Sequence, residues 1–189
     1  MIEIPYPLRT ERLLLRRFVP QDLAAYHAYE SLPQTARYLL NEARSLAQSM
    51  ERVGRMSQEE PLRPGQWAVF AVELRHAPGL LGSVDLKWDE GGDEQHGLVG
   101  EIGWIFAPEA RGKGYATEAA RALCDLAFER LGFYRLQARL DAANTASARL
   151  CERLGMQHEG TLRENMYLKG EWTSEAIYGM LRTELLSGL

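Results

Sequence analysis

The stretch Leu98 to Ala120, LVGEIGWIFAPEARGKGYATEAA, constrains this chain more than any other. Its first part reads as a strand that stops at Ala107-Pro108, and a long helical pattern opens at Tyr115. Gly112 and Gly114 stand between them. The first N–H groups of a helix have no internal partner, and the helix dipole places partial positive charge there. Glycines let the backbone turn tightly and approach an anion closely. A phosphate or diphosphate is the natural ligand of such a turn, with Arg111 and Lys113 adding charge-assisted hydrogen bonds from its flanks. Without a ligand, the same pattern is a plain strand-to-helix connection. Two nucleotide motifs fail on spacing. A Walker loop needs glycine where Ala107 stands and Ser or Thr after Lys113, and a dinucleotide fingerprint needs Gly or Ala where Thr117 stands.

The surrounding chain supplies a framework for this turn. Glu11 to Phe18 reads as a first strand, followed by a helix from Pro20 that ends near Ser31, with Pro33 closing it. A second helix is expected over about Glu42 to Met56, with Ala43, Leu46, Ala47, Met50 and Val53 near helical spacing. Trp67–Val72 and Leu80–Leu86 read as an antiparallel pair turning at Ala77-Pro78-Gly79, and Asp89 to Gly97 as a flexible acidic connection. After the helix from Tyr115 to Leu131 come a strand over Tyr134–Leu140 and a helix over Thr145–Leu154 capped by Asn144. Two last strands, Met156–Leu168 and Trp172–Leu181, meet at a Lys169-Gly170 turn. The pattern is α+β with a mostly antiparallel sheet of about six to seven strands flanked by about four helices. No repeat or linker divides residues 1–189, so a single domain is expected.

Composition narrows the partners. A net charge of −4 gives no global field toward nucleic acid or anionic lipid, and no apolar run is long enough for a membrane span. The N-terminus, Met1-Ile2-Glu3-Ile4-Pro5, lacks the pattern of a signal peptide. Cys124 and Cys151 form no disulfide framework, and with four scattered histidines they form no metal-ligand pattern. A cytoplasmic, metal-free protein is the expectation. An edge strand near the C-terminus would allow a homodimer, although no residue demands one.

Arg111-Gly112-Lys113-Gly114-Tyr115-Ala116 resembles the Arg/Gln-x-x-Gly-x-Gly/Ala signature of the GNAT acetyltransferase superfamily. The wider pattern looks like its RimJ/RimL-like ribosomal-protein N-acetyltransferase branch. Further pieces agree in order: Glu101-Ile102-Gly103-Trp104, Ala116-Thr117-Glu118-Ala119, Asn144-x-x-Ser147, Arg153-Leu154-Gly155-Met156 and Glu159-Gly160-x-x-Arg163. The resemblance runs from Arg9-Thr10-Glu11-Arg12-Leu13 to Glu184. It implies a GNAT-like fold and acetyl-CoA as acetyl donor. By resemblance, the amides of residues 111–116 hold the CoA pyrophosphate, with Tyr115 and Thr117 beside it. Ile105, Phe106 and Ala107 would lie along the pantetheine arm, with the helix from Asn144 beside the thioester.

The implied reaction is attack of a neutral amine on the thioester. Glu101 matches approximately the general base of lysine-acetylating relatives, with the loop after it one residue shorter here, and burial would raise its pKa toward neutrality; it reads equally as a structural carboxylate. The tyrosine that serves many relatives as acid is replaced by Cys151. Ser147 occupies a position where the RimJ/RimL-like branch carries serine, and it either bonds the sulfur or merely begins a helix. Asn144 either touches pantetheine or only caps its helix. The acceptor expected by resemblance is a protein or peptide N-terminal amine. Polyamine, amino acid or antibiotic acceptors remain open, as does a non-catalytic acyl-CoA sensor.

Overall fold

The computed structural model describes residues 1–58 and 60–187. Its strands are β1 (Leu8–Arg9), β2 (Leu13–Arg16), β3 (Trp67–Leu74), β4 (Ala77–Asp93), β5 (Gly97–Phe106), β6 (Phe133–Asp141), β7 (Gln157–Leu168) and β8 (Glu171–Leu181). They form one sheet in the order β1-β2-β3-β4-β5-β6-β8-β7. Every neighbouring pair is antiparallel except β5 and β6. The helices are α1 (Leu23–Glu30), α2 (Pro33–Ala36), α3 (Leu46–Met56), α4 (Tyr115–Glu129), α5 (Thr145–Leu154) and α6 (Arg182–Ser187). The α+β reading holds, and the elements beyond the expected number are the short β1, α2 and α6.

Side chains alternate across the sheet and so build two unequal cores. Val84, Leu86, Leu98, Ile102, Phe106, Phe133 and Leu136 pack against Ala119, Ala120, Leu123 and Ala127 of α4. The alanines let that helix lie close to the strands. On the opposite face Phe18, Tyr26, Tyr29, Val53 and Ala71 form a smaller core beneath α1 and α3. Arg16 anchors this layer with a bidentate ion pair to Asp22, at 2.8 Å for each bond, and a third bond of 2.8 Å to Glu73.

Four local readings change. Pro33 does not merely close α1; it sits at the first position of α2, where its missing N–H is harmless. α3 starts at Leu46 rather than Glu42, because Ser45 and Gln48 form a reciprocal capping box. The acidic stretch from Asp89 is largely strand: β4 runs on to Asp93, with a register shift between Asp89 and Gly92. The β3–β4 turn lies at Arg75-His76, not at Ala77-Pro78-Gly79.

The decisive feature is where β5 leaves β6. Their parallel pairing covers only Leu98 to Glu101 against Phe133 to Gln137. Beyond it β5 pairs with β4 alone, while β6 continues along β8. The β6-facing backbone of residues 102–106 therefore has no strand partner. At the paired end the Phe133 ring fills the space beside Gly100, where an added Cβ would stand 2.6 Å from Phe133 Cε1 and 2.9 Å from the Lys87 carbonyl. Gly100→Ala should therefore lower stability by about 1–3 kcal/mol, the usual range for overpacking, as read from urea unfolding.

Candidate active site

The glycine turn forms as the residues dictate. Gly112 and Gly114 have φ of 75° and 79°, left-handed values that side-chain-bearing residues rarely adopt. A Cβ at Gly112 would meet open space, so the requirement there is the backbone sign alone. Gly114 is the N-cap of α4, and the first intrahelical bond runs from the Glu118 N–H to the Gly114 carbonyl at 3.0 Å. The N–H groups of Tyr115, Ala116 and Thr117 are left with no acceptor among the described residues. They face a cavity at the positive end of a fifteen-residue helix.

That turn is braced from a distant part of the chain. Glu118 accepts hydrogen bonds from Thr10 Oγ1 (2.5 Å), the Arg12 N–H (2.9 Å) and Arg12 Nε (2.6 Å). Arg12 Nη1 also donates to the Lys113 carbonyl at 3.0 Å, and its guanidinium lies 4.8 Å from the Tyr115 ring centroid. Burial opposes the charge on Glu118, but the bonds from Thr10 and Arg12 outweigh it and pull the carboxyl below its ordinary range. Two segments that stand out separately in the sequence are thus one structural unit.

A cavity of about 510 Å³ extends from this turn, of the size that holds small molecules. Of the residues singled out in the sequence, Ile105, Phe106, Arg111, Gly112, Gly114, Tyr115, Ala116, Thr117, Asn144 and Ser147 line it. Arg111 Nε donates across to the Phe106 carbonyl at 3.3 Å. Ala107 is not on the lining; its N–H is taken by the Leu81 carbonyl at 2.9 Å. Lys113 contributes its carbonyl to Arg12, and its side chain is not on the lining. Asn144 accepts from the Ser147 N–H at 3.1 Å, so it caps α5 while bordering the cavity. Thr117 Oγ1 accepts from Arg153 Nε at 3.1 Å.

Ser147 Oγ accepts a hydrogen bond of 3.1 Å from Trp104 Nε1, which leaves its own proton free to be donated. Cys151 is fully buried and lies off the lining, and burial pushes its thiol up to about 12. It is placed for neither acid nor nucleophile work. Among the described residues no three His, Cys, Asp or Glu side chains gather as metal ligands.

Glu101 stands at the apex of the gap, the last residue of β5 paired with β6, between Lys87 of β4 and Gln137 of β6 in register. It is half-buried, and its carboxylate has no hydrogen-bond partner among the described residues. Burial raises its pKa; Lys87 and Arg139 oppose the rise, and Asp89 and Asp85 support it. Asp89 itself is occupied, bonding Lys87 at 3.1 Å and Gln137 at 2.9 Å. Asp85, which sequence reasoning missed, lies opposite Gly103, and its Oδ1 is sealed from solvent without a partner. Burial pushes its carboxyl up to about 6 against the pull of Arg52. Its signal was a lone acid in the apolar run Leu80–Leu86, with a glycine across the ladder where a Cβ would come within 2.3 Å of Oδ1.

The lining also includes Thr35, Tyr38 and Leu39, in α2 and just after it, together with Trp104, Leu150 and Arg153. The α2 segment packs against α1 on one face of the sheet, whereas α5 packs against α4 on the other. One cavity bordered by both layers passes through the gap between β5 and β6. Arg12→Ala, which removes the brace from outside the cavity, should loosen the turn and speed amide hydrogen exchange at residues 112–117.

A family model described as an acetyltransferase (GNAT) domain matches residues 12–157. An uncharacterized N-acetyltransferase, YnaD of Bacillus subtilis, is 28% identical over 177 residues, covering 94% of this chain and 98% of that protein. A GNAT-family acetyltransferase structure from Bacillus anthracis aligns with a TM-score of 0.81 at 29% identity, over 94% of this chain and 99% of that one. Two more distant structures share the fold. Spermidine N-acetyltransferase from Vibrio cholerae, in complex with CoA and spermine, has a TM-score of 0.76 at 22% identity over 94% of this chain and 99% of that one. The ribosomal α-N-protein acetyltransferase RimL, in complex with coenzyme A, has a TM-score of 0.73 at 17% identity over 91% and 95%. With its family model spanning most of the chain and its sheet parted beside a braced glycine turn, this protein belongs to the GNAT acetyltransferase domain family.

Proposed function

We propose that the protein transfers an acetyl group from acetyl-CoA to a primary amine by direct attack, with a protein or peptide N-terminal amine as its preferred acceptor. The observation that carries the reading is the continuity of one cavity. It joins the unpaired amides of residues 115–117 to residues 104–106 of β5, beyond the end of the β5–β6 pairing; Glu101 stands at that end and is not itself on the lining.

The donor set suits the ligand. The free amides at the start of α4, with Arg111 and Arg153 beside them, offer positive charge and N–H donors to a diphosphate. The free edge of β5 offers backbone groups to an extended arm carrying amides. Acetyl-CoA supplies an acyl group already activated as a thioester. This chain's part is to hold it, exclude water and manage two protons. Glu101 accepts the proton of the attacking amine, and Ser147, held by Trp104 Nε1, donates a hydrogen bond to the departing thiolate and keeps its own proton.

The acceptor preference rests on the resemblance to the ribosomal-protein N-acetyltransferase branch, and the cost of deprotonation agrees with it. Bringing a lysine-like amine of pKa about 10.4 to its neutral form at pH 7 costs about 4.6 kcal/mol, against about 1 kcal/mol for an α-amine near 7.7. Burial raises the Glu101 pKa, with Lys87 and Arg139 opposing the rise. The smaller cost favours the α-amine. The shared fold of the spermidine enzyme supplies the competing acceptor for the test.

Glu101 is active when ionised, so the rate should fall as pH drops through its raised pKa, above the ordinary glutamate value of 4.5. Glu101→Gln should remove that limb and lower kcat about 10²–10⁴-fold, within the range of general-base catalysis. Thiol release from acetyl-CoA with N-terminal peptides and with spermidine tests the acceptor. Faster turnover on peptides is expected; faster turnover on spermidine, or CoA binding with no turnover on any amine, contradicts the assignment.

A further inference from the structure

On the Glu101 side of the sheet, the cavity wall is short and is held from outside. Residues alternate across a strand, so Glu101, Gly103 and Ile105 share the face of β5 on which Ile105 meets the smaller core. Thr35, Tyr38 and Leu39 bring α2 and the residues after it to the cavity on that same face. The glycine turn opens α4, which packs on the other face. An amine that gives its proton to Glu101 therefore meets the α2 wall, at the far side of the sheet from the diphosphate turn. That wall has little stiffness of its own. α2 is a single turn, Pro33–Ala36, and one helical turn does not hold its shape alone in water.

Lys169, in the turn between β7 and β8, supplies the missing support. Its ammonium donates to the Ala36 carbonyl, at the end of α2, and to the Leu39 carbonyl at 2.7 Å. The two bonds bracket Tyr38. The turn itself is poorly suited to a lysine. It is a two-residue connection between the paired Leu168 and Glu171, with positive φ at both positions, 53° at Lys169 and 90° at Gly170. Such turns favour Asn, Asp or Gly at the first position, and a longer side chain is strained there. The backbone gives no reason for lysine at this place. The side chain does.

We infer that Lys169 is a positioning residue for the acceptor: its two bonds latch α2 to the β7–β8 turn, so that Tyr38 and Leu39 present a fixed wall to the incoming amine. The inference rests on the acetyltransferase reading. A wall held in place before the acceptor arrives spares the cost of ordering it on binding. The amides at the start of α4 and the free edge of β5, which are assigned to acetyl-CoA, make no bond to Lys169. Loss of the latch therefore falls on the acceptor.

Two substitutions separate the latch from the stability of the turn. Lys169→Met removes the ammonium and keeps the strained backbone, whereas Lys169→Asn removes the ammonium and relieves the strain. Steady-state kinetics at saturating acetyl-CoA are measured with an N-terminal peptide or spermidine, whichever the wild type turns over faster. Both variants should raise the acceptor KM about tenfold with kcat within about threefold. Acetyl-CoA affinity, from calorimetry without an amine, should stay within about twofold. The Asn variant should melt at a higher temperature than the Met variant, yet share its KM. Lys169→Arg, which keeps donors for both carbonyls, should restore a KM near that of the wild type. A KM that follows melting temperature instead, an unchanged KM in both variants, or a parallel loss of acetyl-CoA affinity overturns the inference and leaves the acetyltransferase reading intact. Wild-type protein that turns over neither amine overturns both.

Discussion

The parallel contact between β5 and β6 ends after Glu101 and Gln137, and the rest of the site depends on that ending. Backbone groups left without a ladder partner are costly inside a protein unless something else satisfies them. Here β5 satisfies one edge on β4 and leaves the other open along residues 102–106. The same divergence opens a passage from the layer of α4 and α5 to the layer of α1, α2 and α3. Gly100 and Phe133 close-pack the joined end, so the opening begins at a defined residue. Glu101 is that residue.

Around this gap the protein spends distant contacts on holding a short turn still. Thr10 and Arg12 reach across more than a hundred positions to Glu118, and Arg12 continues to the carbonyl of Lys113. A glycine turn with positive φ at two residues would otherwise sample many conformations, which weakens any anion site built from its amides. Lys169, at the turn between β7 and β8, donates to the carbonyls of Ala36 and Leu39 and so holds α2 as Arg12 holds the glycine turn. Both ends of the cavity are thus fixed by side chains outside it.

Much of this was legible because the chemistry is local. The turn at 111–116, the α4 helix and the Asn144 cap each declare themselves within a few residues, and the structure has them there. What escaped the sequence is long-range or depends on which face is covered. The bond between Arg12 and Glu118 cannot be read from either segment alone. Leu46 and Met50 fit a helical stripe yet are 52% and 55% exposed, because α3 buries Ser49 and Val53 instead. Asp85 passed unremarked within the strand read over Leu80–Leu86, and the burial of its carboxylate against Gly103 became visible only in the fold. Thr35 lies beyond the proline expected to close the first helix, in a stretch read as no element, so α2 and its place in the cavity wall went unseen. Ala107 was placed along the cofactor arm by analogy, but its N–H already belongs to Leu81.

In the proposed function the unpaired amides at the start of α4 grip a diphosphate. Backbone amide resonances followed during titration with CoA test it directly. The N–H signals of Gly112 through Thr117 should move most and saturate with the ligand. Binding that leaves those signals in place while shifting amides elsewhere, or no binding at all, would contradict it.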